Sequence, residues 1–257
     1  MKKLVLNAVG MLALCISSAS AADLPMKAPP APAPVWTWTG FYVGVNGGAG
    51  WGTTESTLTS ISAPGLGSVA ANFPVAQNSR SGFLGGGQIG YNYQSGWAVF
   101  GVEADIDGLD VKGTTPCIVV LSCTSDSNWL ATVSGRIGGV IADKTLVYVK
   151  GGAAWLNTTQ TLNVPTLGGI GGIGGGFAGL GSASAESTAL GGLLGMGVEY
   201  AFSPNWSAFI EYDYMEFQKT NVAFPLTALA GAGTVVNANL SVLNKLSIAK
   251  VGVNYKF

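Results

Sequence analysis

The chain contains no histidine, and only 10% of its 257 residues are charged. Histidine is the commonest general base and a frequent metal ligand, so its absence removes the usual centre of hydrolytic and metal chemistry. The formal net charge of -1 gives no basic surface for nucleic acid. We therefore expect no enzyme activity, no cofactor and no nucleic-acid partner.

Beyond its first residues the chain also lacks a good membrane-spanning helix. The stretch 167–185 is uncharged and long enough, but nine of its residues are glycine. Each glycine costs a helix about 1 kcal/mol relative to alanine. If the chain is exported, what remains is either a secreted soluble protein or an outer-membrane barrel.

Residues 1–21 are predicted to be a cleaved signal peptide. Lys2 and Lys3 give a positive start, Leu4–Ile16 an apolar core, and Ala19–Ala21 a cleavage site of small residues. A lipoprotein signal at Cys15 fits poorly, because the residue before that cysteine is not small. The mature protein is therefore expected in an oxidising compartment outside the cytoplasm.

A proline-rich segment follows the signal peptide. Residues 25–34 alternate between proline and mostly small residues, which favours a stiff extended chain. We predict a periplasmic linker over 22–38 and a single domain over 39–257.

Two cysteines of the mature chain lie close together in one predicted loop. Cys117 and Cys123 have no third mature thiol to compete with them. We predict a disulfide between them, which contributes roughly 2 kcal/mol or less because the ring is short. Mass spectrometry of unreduced protein is expected to find no free thiol, and two free thiols would contradict the pairing.

The domain consists of segments that alternate between apolar and polar residues with a period of two, as strands do. The clearest is 247–257, where Val251, Val253, Tyr255 and Phe257 share one face. A last strand can pair only with earlier chain, so we expect it to close the sheet against the first strand. The predicted strands lie near 39–53, 80–94, 97–107, 128–138, 146–155, 188–201, 206–217 and 247–257.

Short and long connections alternate strictly between these strands, as in outer-membrane barrels. We predict an all-β fold, an eight-stranded antiparallel up-and-down transmembrane β-barrel. Tyr255 and Phe257 provide the aromatic end that is typical of such barrels, and we expect them to act as an assembly signal. The uncharged long segment 220–244 either lengthens strands, covers the barrel mouth or meets a partner.

The alternation of apolar and polar residues does not by itself decide which face of the strands is inside the barrel, since a soluble lipocalin-like barrel would bury the apolar face. The polar face is full of glycine, which makes a poor solvated surface but suits a narrow, crowded lumen. The apolar face carries aromatic residues near the strand ends, as at membrane interfaces. We therefore predict that the polar face lines the lumen.

The charged residues of the polar face are predicted to form an ion-pair network that fills the lumen. Arg136 is the expected hub for Glu103 or Asp105, because their strands are neighbours. Paired carboxylates also occur in hydrolases, but known barrel enzymes of this size rely on histidine. The residues concerned are Glu103, Asp105, Asp107, Arg136, Lys150, Glu199, Glu211, Asp213, Lys250 and Lys256.

Four segments resemble the Omp25/Omp31 family of alphaproteobacterial surface antigens. They are Trp36–Gly44, Phe100–Asp105, Gly197–Ala201 and Val251–Phe257, and they span the whole domain. The resemblance implies an eight-stranded barrel with a mainly structural role in the envelope. Some members of that family bind haem or face the host, but the glycine tract and the apolar segment 220–244 depart from its pattern.

We therefore expect a structural barrel of the cell outer membrane that contributes to envelope integrity and surface antigenicity. Its expected partners are outer-membrane lipid and lipopolysaccharide, the barrel-assembly machinery and peptidoglycan. The alternative is a small pore or a receptor for haem or another ligand, in which tyrosine or methionine would have to bind the iron.

Overall fold

The described part of the chain is built almost entirely from nine β-strands. The computed structural model describes residues 36–63, 67–118, 121–142, 144–163, 183–226 and 236–257. Within these ranges no helix is both long and apolar enough to span a membrane. The strands are β1 (Gly40–Ala63), β2 (Gly67–Ser95), β3 (Ala98–Ile118), β4 (Leu121–Ile141), β5 (Thr145–Asn163), β6 (Ala183–Ala201), β7 (Trp206–Phe217), β8 (Thr220–Leu226) and β9 (Val236–Lys256).

The strands form one closed antiparallel sheet. Each strand from β1 to β6 pairs with the next, β7 pairs with β9, and β9 closes the ring on β1 through pairs such as Tyr42↔Lys256. The two short strands β7 and β8 both pair with β9 and are separated only by Gln218 and Lys219, so they are two parts of one wall strand. The predicted eight-stranded up-and-down barrel, with its last strand closing on the first, is confirmed.

The inter-strand turns that the structure describes lie at one end of the barrel. The β2–β3 turn consists of Gly96 and Trp97, and Gly96 has φ +62°, a conformation that glycine adopts without strain. Tight turns also join β4 to β5 and β6 to β7. In outer-membrane barrels the short turns face the periplasm, so the long hairpins at the other end are extracellular.

The long connections are extended hairpins, and here the predicted strand bounds are too short. The predicted loop 55–79 is mostly strand, because β1 and β2 stay paired as far as Ala63↔Gly67. In the segment 220–244, β8 pairs with β9 through Val222↔Leu240, so its described residues lengthen the wall. Most of the glycine tract 167–185 lies outside the described residues.

The cysteine prediction falls in the β3–β4 hairpin. The backbone of Cys117 belongs to β3 and that of Cys123 to β4, where Cys123 is opposite Thr115. The side chains of both cysteines lie outside the described residues. Their disulfide therefore stays a prediction.

The apolar face of the strands points outwards and the polar face points into the lumen, as predicted. On β1, Phe41 is 63% exposed, whereas its neighbour Tyr42 is 2% exposed. Outward aromatic residues form a periplasmic ring of Phe41, Trp97, Trp206, Tyr255 and Phe257, and an extracellular ring of Trp51, Phe83, Trp129, Trp155 and Tyr214. Between these rings the outward positions of the described strands carry no charged residue, which gives a lipid-facing apolar band.

Candidate functional site

The lumen is filled by layers of different chemistry, and β3 passes through three of them. From the periplasmic end, its inward positions are first apolar at Val99, then acidic, then apolar again at Leu109 and Val111. The acidic positions Glu103, Asp105 and Asp107 are each at most 4% exposed. A charged layer is thus enclosed between two apolar layers.

The two apolar layers each gather inward side chains from several strands. The lower apolar layer, on the periplasmic side, contains Trp38, Val99, Leu146, Tyr148 and Ala201. The upper apolar layer, on the extracellular side, contains Leu84, Leu109, Val111, Leu130, Ala154, Leu156, Ala189, Leu193, Met215, Phe217, Leu246 and Ile248. Neither layer was predicted from the sequence, because the inward face was expected to carry glycine and charged residues.

Arg136, on β4, pairs with carboxylates from two directions. Its Nη1 lies 3.4 Å from Glu103 Oε2 and 3.2 Å from Glu199 Oε2. Its Nε donates a hydrogen bond of 2.8 Å to Asn92 Oδ1. Of the two carboxylates that the sequence offered, Arg136 contacts Glu103, and its second partner comes from β6 instead of Asp105.

Two tyrosine rings enclose the Arg136 guanidinium. Its central carbon lies 4.7 Å from the ring centroid of Tyr42 and 5.1 Å from that of Tyr148, within the range of cation–π attraction. The Tyr42 hydroxyl donates to Glu103 at 2.6 Å, and the Tyr148 hydroxyl donates to Glu211 at 2.8 Å. The tyrosines therefore hold the cation, its partner Glu103 and a further carboxylate, Glu211, which pairs with the lysines of the layer.

Lys150, on β5, lies among four carboxylates. Its Nζ is 2.7 Å from Glu211, 3.2 Å from Glu103, 3.6 Å from Asp213 and 3.9 Å from Asp105. The residue is 2% exposed, so water screens none of these interactions effectively. Lys150 joins residues of three strands in the centre of the lumen.

Lys250, on β9, completes the charged layer from the strand that closes the barrel. Its Nζ lies 3.0 Å from Asp105, 3.3 Å from Glu211, 3.5 Å from Asp213 and 3.9 Å from Asp107. Lys250 and Lys150 thus share three of their carboxylate partners. The structure brings nine of the ten residues that were predicted to form the network into one layer, all except Lys256.

The charged layer has more acids than bases. Six carboxylates surround three cations, and both oxygens of Asp107 and of Asp213 lack a hydrogen-bond partner. Among the described residues, no group of His, Cys, Asp and Glu side chains is arranged to hold a metal ion. The arrangement shares each lysine among four carboxylates and keeps every charged group of the layer buried.

Two glycines make room for the tyrosines of this site. A side chain at Gly90 would collide with the ring of Tyr42, and one at Gly197 would collide with the ring of Tyr148. Each ring lies over the glycine of a neighbouring strand. The glycine content of the inward face therefore has a steric cause: it lets large rings lie flat against the wall of a narrow barrel.

The predicted charged residue Lys256 and the predicted assembly signal lie at the periplasmic end. Lys256 does not join the charged layer, because its Nζ lies 4.2 Å from the ring centroid of Trp36. The Phe257 N–H donates to the carbonyl of Phe41 at 3.0 Å, and its ring packs edge-on against Tyr255 at 5.1 Å. Both aromatic residues thus belong to the seam between β1 and β9.

Comparison with known proteins identifies the family. Residues 9–257 match the family model for the outer membrane protein beta-barrel domain. The chain belongs to this outer-membrane barrel family. It is also 30% identical, over the whole length of both chains, to the 31 kDa outer-membrane immunogenic protein of Brucella melitensis and to that of Brucella suis. The resemblance to the Omp25/Omp31 family is confirmed, and this barrel is a protein of the outer membrane.

Solved barrels provide more distant likenesses. OprG from Pseudomonas aeruginosa is 9% identical with a TM-score of 0.48, over 88% of this chain and 100% of its own. The outer membrane protease OmpT from Escherichia coli is 11% identical with a TM-score of 0.44, over 88% and 99%. No conclusion about activity follows from likenesses at this level.

Proposed function

We propose that this barrel has a structural role: it contributes to envelope integrity and to the antigenic surface of the cell, and it does not transport solutes. The observation that carries the proposal is the filled lumen. A transport barrel needs a continuous path of water or of ligand-binding groups from one side to the other. Here three successive layers of buried side chains cross the interior.

The charged layer supports this role because ion pairs between residues of different strands hold it in place. Its carboxylates and cations come from six strands, and each of its members is at most 4% exposed. An ion that crossed the lumen would have to displace these charged groups from their partners. They would then be unpaired and away from water, which is energetically costly. An eight-stranded wall encloses only enough space for such side chains.

The outer surface supports the proposed partners. The apolar band between the aromatic rings fits the hydrocarbon core of the outer membrane, and the hairpins beyond it lie at the level of lipopolysaccharide sugars. Residues 22–38 would act as the periplasmic linker and bring the chain within reach of peptidoglycan. Tyr255 and Phe257 would be read by the barrel-assembly machinery.

Purified protein in planar bilayers is expected to give no steady conductance, because the apolar layers exclude hydrated ions. Single-channel recording over a range of voltages measures this directly. A gel shift between heated and unheated samples of the reconstituted protein provides the control for insertion of the folded barrel. Reproducible large steps from the unmodified protein would favour the pore alternative.

A strain that lacks the protein is expected to become more sensitive to detergent and to large antibiotics, and the wild-type chain should restore resistance. Growth inhibition zones and uptake of a hydrophobic dye measure the barrier. Unchanged sensitivity, with normal levels of other barrels, would contradict the role in envelope integrity.

A further inference from the structure

A fourth layer of inward side chains lies beyond the upper apolar layer, on the extracellular side. Its members are buried polar residues that the structural role does not explain. Along β2 the inward positions run from Leu84 in the upper apolar layer to Arg80 in this outer polar layer. The outer polar layer consists of Thr54, Asn78, Arg80, Ser125, Ser127, Thr158, Gln160 and Asn244.

Arg80 is the charged member of this layer, and its guanidinium is poorly satisfied. The residue is 3% exposed, and Nη1 donates to Ser127 Oγ at 2.6 Å. Its Nε and Nη2 have no hydrogen-bond partner. In the part of the chain that the structure describes, no carboxylate forms an ion pair with Arg80.

Comparison with Arg136 shows that a buried guanidinium with so few partners is unusual within this lumen. Arg136 has two carboxylates, an amide and two aromatic rings around it, whereas Arg80 has one hydroxyl. A buried guanidinium without a counter-charge is costly, and proteins normally pair it. The surplus carboxylates of the charged layer are not available, because Leu84, Leu109 and Val111 lie between.

The pattern of free donors points to a particular kind of ligand. Nε and Nη2 lie on one edge of the planar guanidinium, and this edge binds two oxygens of a carboxylate, phosphate or sulfate side by side. Thr158, opposite Ser127 in the β4–β5 ladder, adds a buried hydroxyl that has no partner. The rest of the layer is neutral, so it would not repel an anion.

We propose that Arg80 and the outer polar layer form a binding site for one small oxyanion that enters from the extracellular side. The anion supplies the missing counter-charge and accepts hydrogen bonds from Nε and Nη2. The upper apolar layer blocks its passage, so the site binds and does not conduct. This property is separate from the structural role and stands or falls independently of it.

The site is tested on the refolded full-length barrel in detergent, at constant pH and ionic strength, with sodium sulfate replacing sodium chloride. Equilibrium dialysis with labelled sulfate should find one saturable site, and the urea midpoint of unfolding should rise as that site fills. Both effects should be lost in Arg80→Gln. Lys112→Gln, which removes an exposed lysine of the same extracellular half, should leave both unchanged.

Two further measurements keep the test decisive if Arg80→Gln does not fold. Arg80→Lys keeps the charge but loses the two-donor edge, so sulfate affinity should fall at least tenfold. The wild-type protein alone also decides, because absence of saturable binding of sulfate, phosphate and acetate would mean that water satisfies Arg80 and would overturn the site. An equal response in Arg80→Gln would show an adventitious ion only.

Inorganic phosphate and glucose 6-phosphate distinguish the source of the anion. If both compete with sulfate, the site admits the terminal group of a larger molecule. If only inorganic phosphate competes, the site takes free ions. Competition by neither, with sulfate still bound, would limit the site to sulfate and carboxylate chemistry.

Discussion

Replacing Arg136 with alanine is expected to lower the free energy of unfolding by about 3–5 kcal/mol, the usual cost of stranding a buried charge. The variant leaves Glu103 and Glu199 facing a cavity with no cation between them. The rings of Tyr42 and Tyr148 lose the guanidinium that they enclose. The loss therefore combines electrostatic and packing terms at one position.

Urea unfolding of the refolded barrel, followed by tryptophan fluorescence and by the shift between heated and unheated gel samples, measures this change. Lys112→Ala is the control, because Lys112 forms an ion pair with Asp110 and both side chains are largely exposed. Adding Glu199→Gln to Arg136→Ala should restore part of the stability, since it removes one stranded carboxylate. An Arg136→Ala barrel as stable as the wild type would show that the charged layer does not hold the fold.

The second large effect is expected in the upper apolar layer. Phe217 is 1% exposed at the extracellular end of β7, and its ring packs on Gly191 of the neighbouring strand. Phe217→Ala should cost roughly 3–5 kcal/mol, because it removes buried apolar surface and leaves a cavity. The effect should be largest if the narrow wall cannot collapse into the space.

The same urea titration checks this prediction with two controls. Phe217→Leu keeps most of the volume and should cost less than about 1.5 kcal/mol. Phe202→Ala truncates a phenylalanine that is 52% exposed beside a periplasmic turn, so its effect should be much smaller. Equal losses for Phe217→Ala and Phe202→Ala would mean that the upper apolar layer adds nothing to stability.

The barrel itself could be predicted from the sequence because its wall imposes a period of two. Each outward position between the aromatic rings must be apolar to face lipid, and each inward position must fit a narrow interior. On β9 this produces the alternation of Val251, Val253 and Tyr255 with Lys250 and Asn254. The position of every strand that crosses the membrane follows from this constraint.

The extracellular ends of the strands could not be predicted in the same way. Beyond the membrane much of β1 and β2 is exposed, as at Ala70, which pairs with Ser60, and a buried apolar residue such as Leu58 is isolated between polar neighbours. No face has to be apolar, so the alternation disappears although the backbone ladder continues. Backbone pairing, which leaves no mark on side-chain chemistry, decides where these strands end.

The period-two alternation along each strand predicts which charged residues face inwards, but it does not predict which of them form ion pairs. Arg136 on β4 contacts Glu199 on β6, and these strands are not neighbours in the sheet. Such a contact depends on the radius of the closed barrel, which no local pattern encodes. The distinction between Glu103, which Arg136 contacts, and Asp105, which it does not, has the same origin.

The apolar layers are visible in the sequence, but a search for one apolar face on each strand overlooks them. On β9 the inward positions Leu246 and Ile248 precede Lys250, and on β3, which runs in the opposite direction, Leu109 and Val111 follow Asp107. At that height the inward residues of these strands are apolar, whereas their outward neighbours include Asp110, Lys112, Lys245 and Ser247. Inward positions that change from charged to apolar at the same height on several strands predict a filled cross-section.

The contacts within the charged layer also give the barrel a mechanical property. Backbone hydrogen bonds run around the circumference and offer little resistance when a ring is flattened into an ellipse. Lys250 on β9 and Asp105 on β3, like Arg136 on β4 and Glu199 on β6, connect wall strands across the interior. Flattening would have to pull opposite charges apart where no water can replace them, so the barrel should behave in the membrane as a stiff inclusion of fixed cross-section.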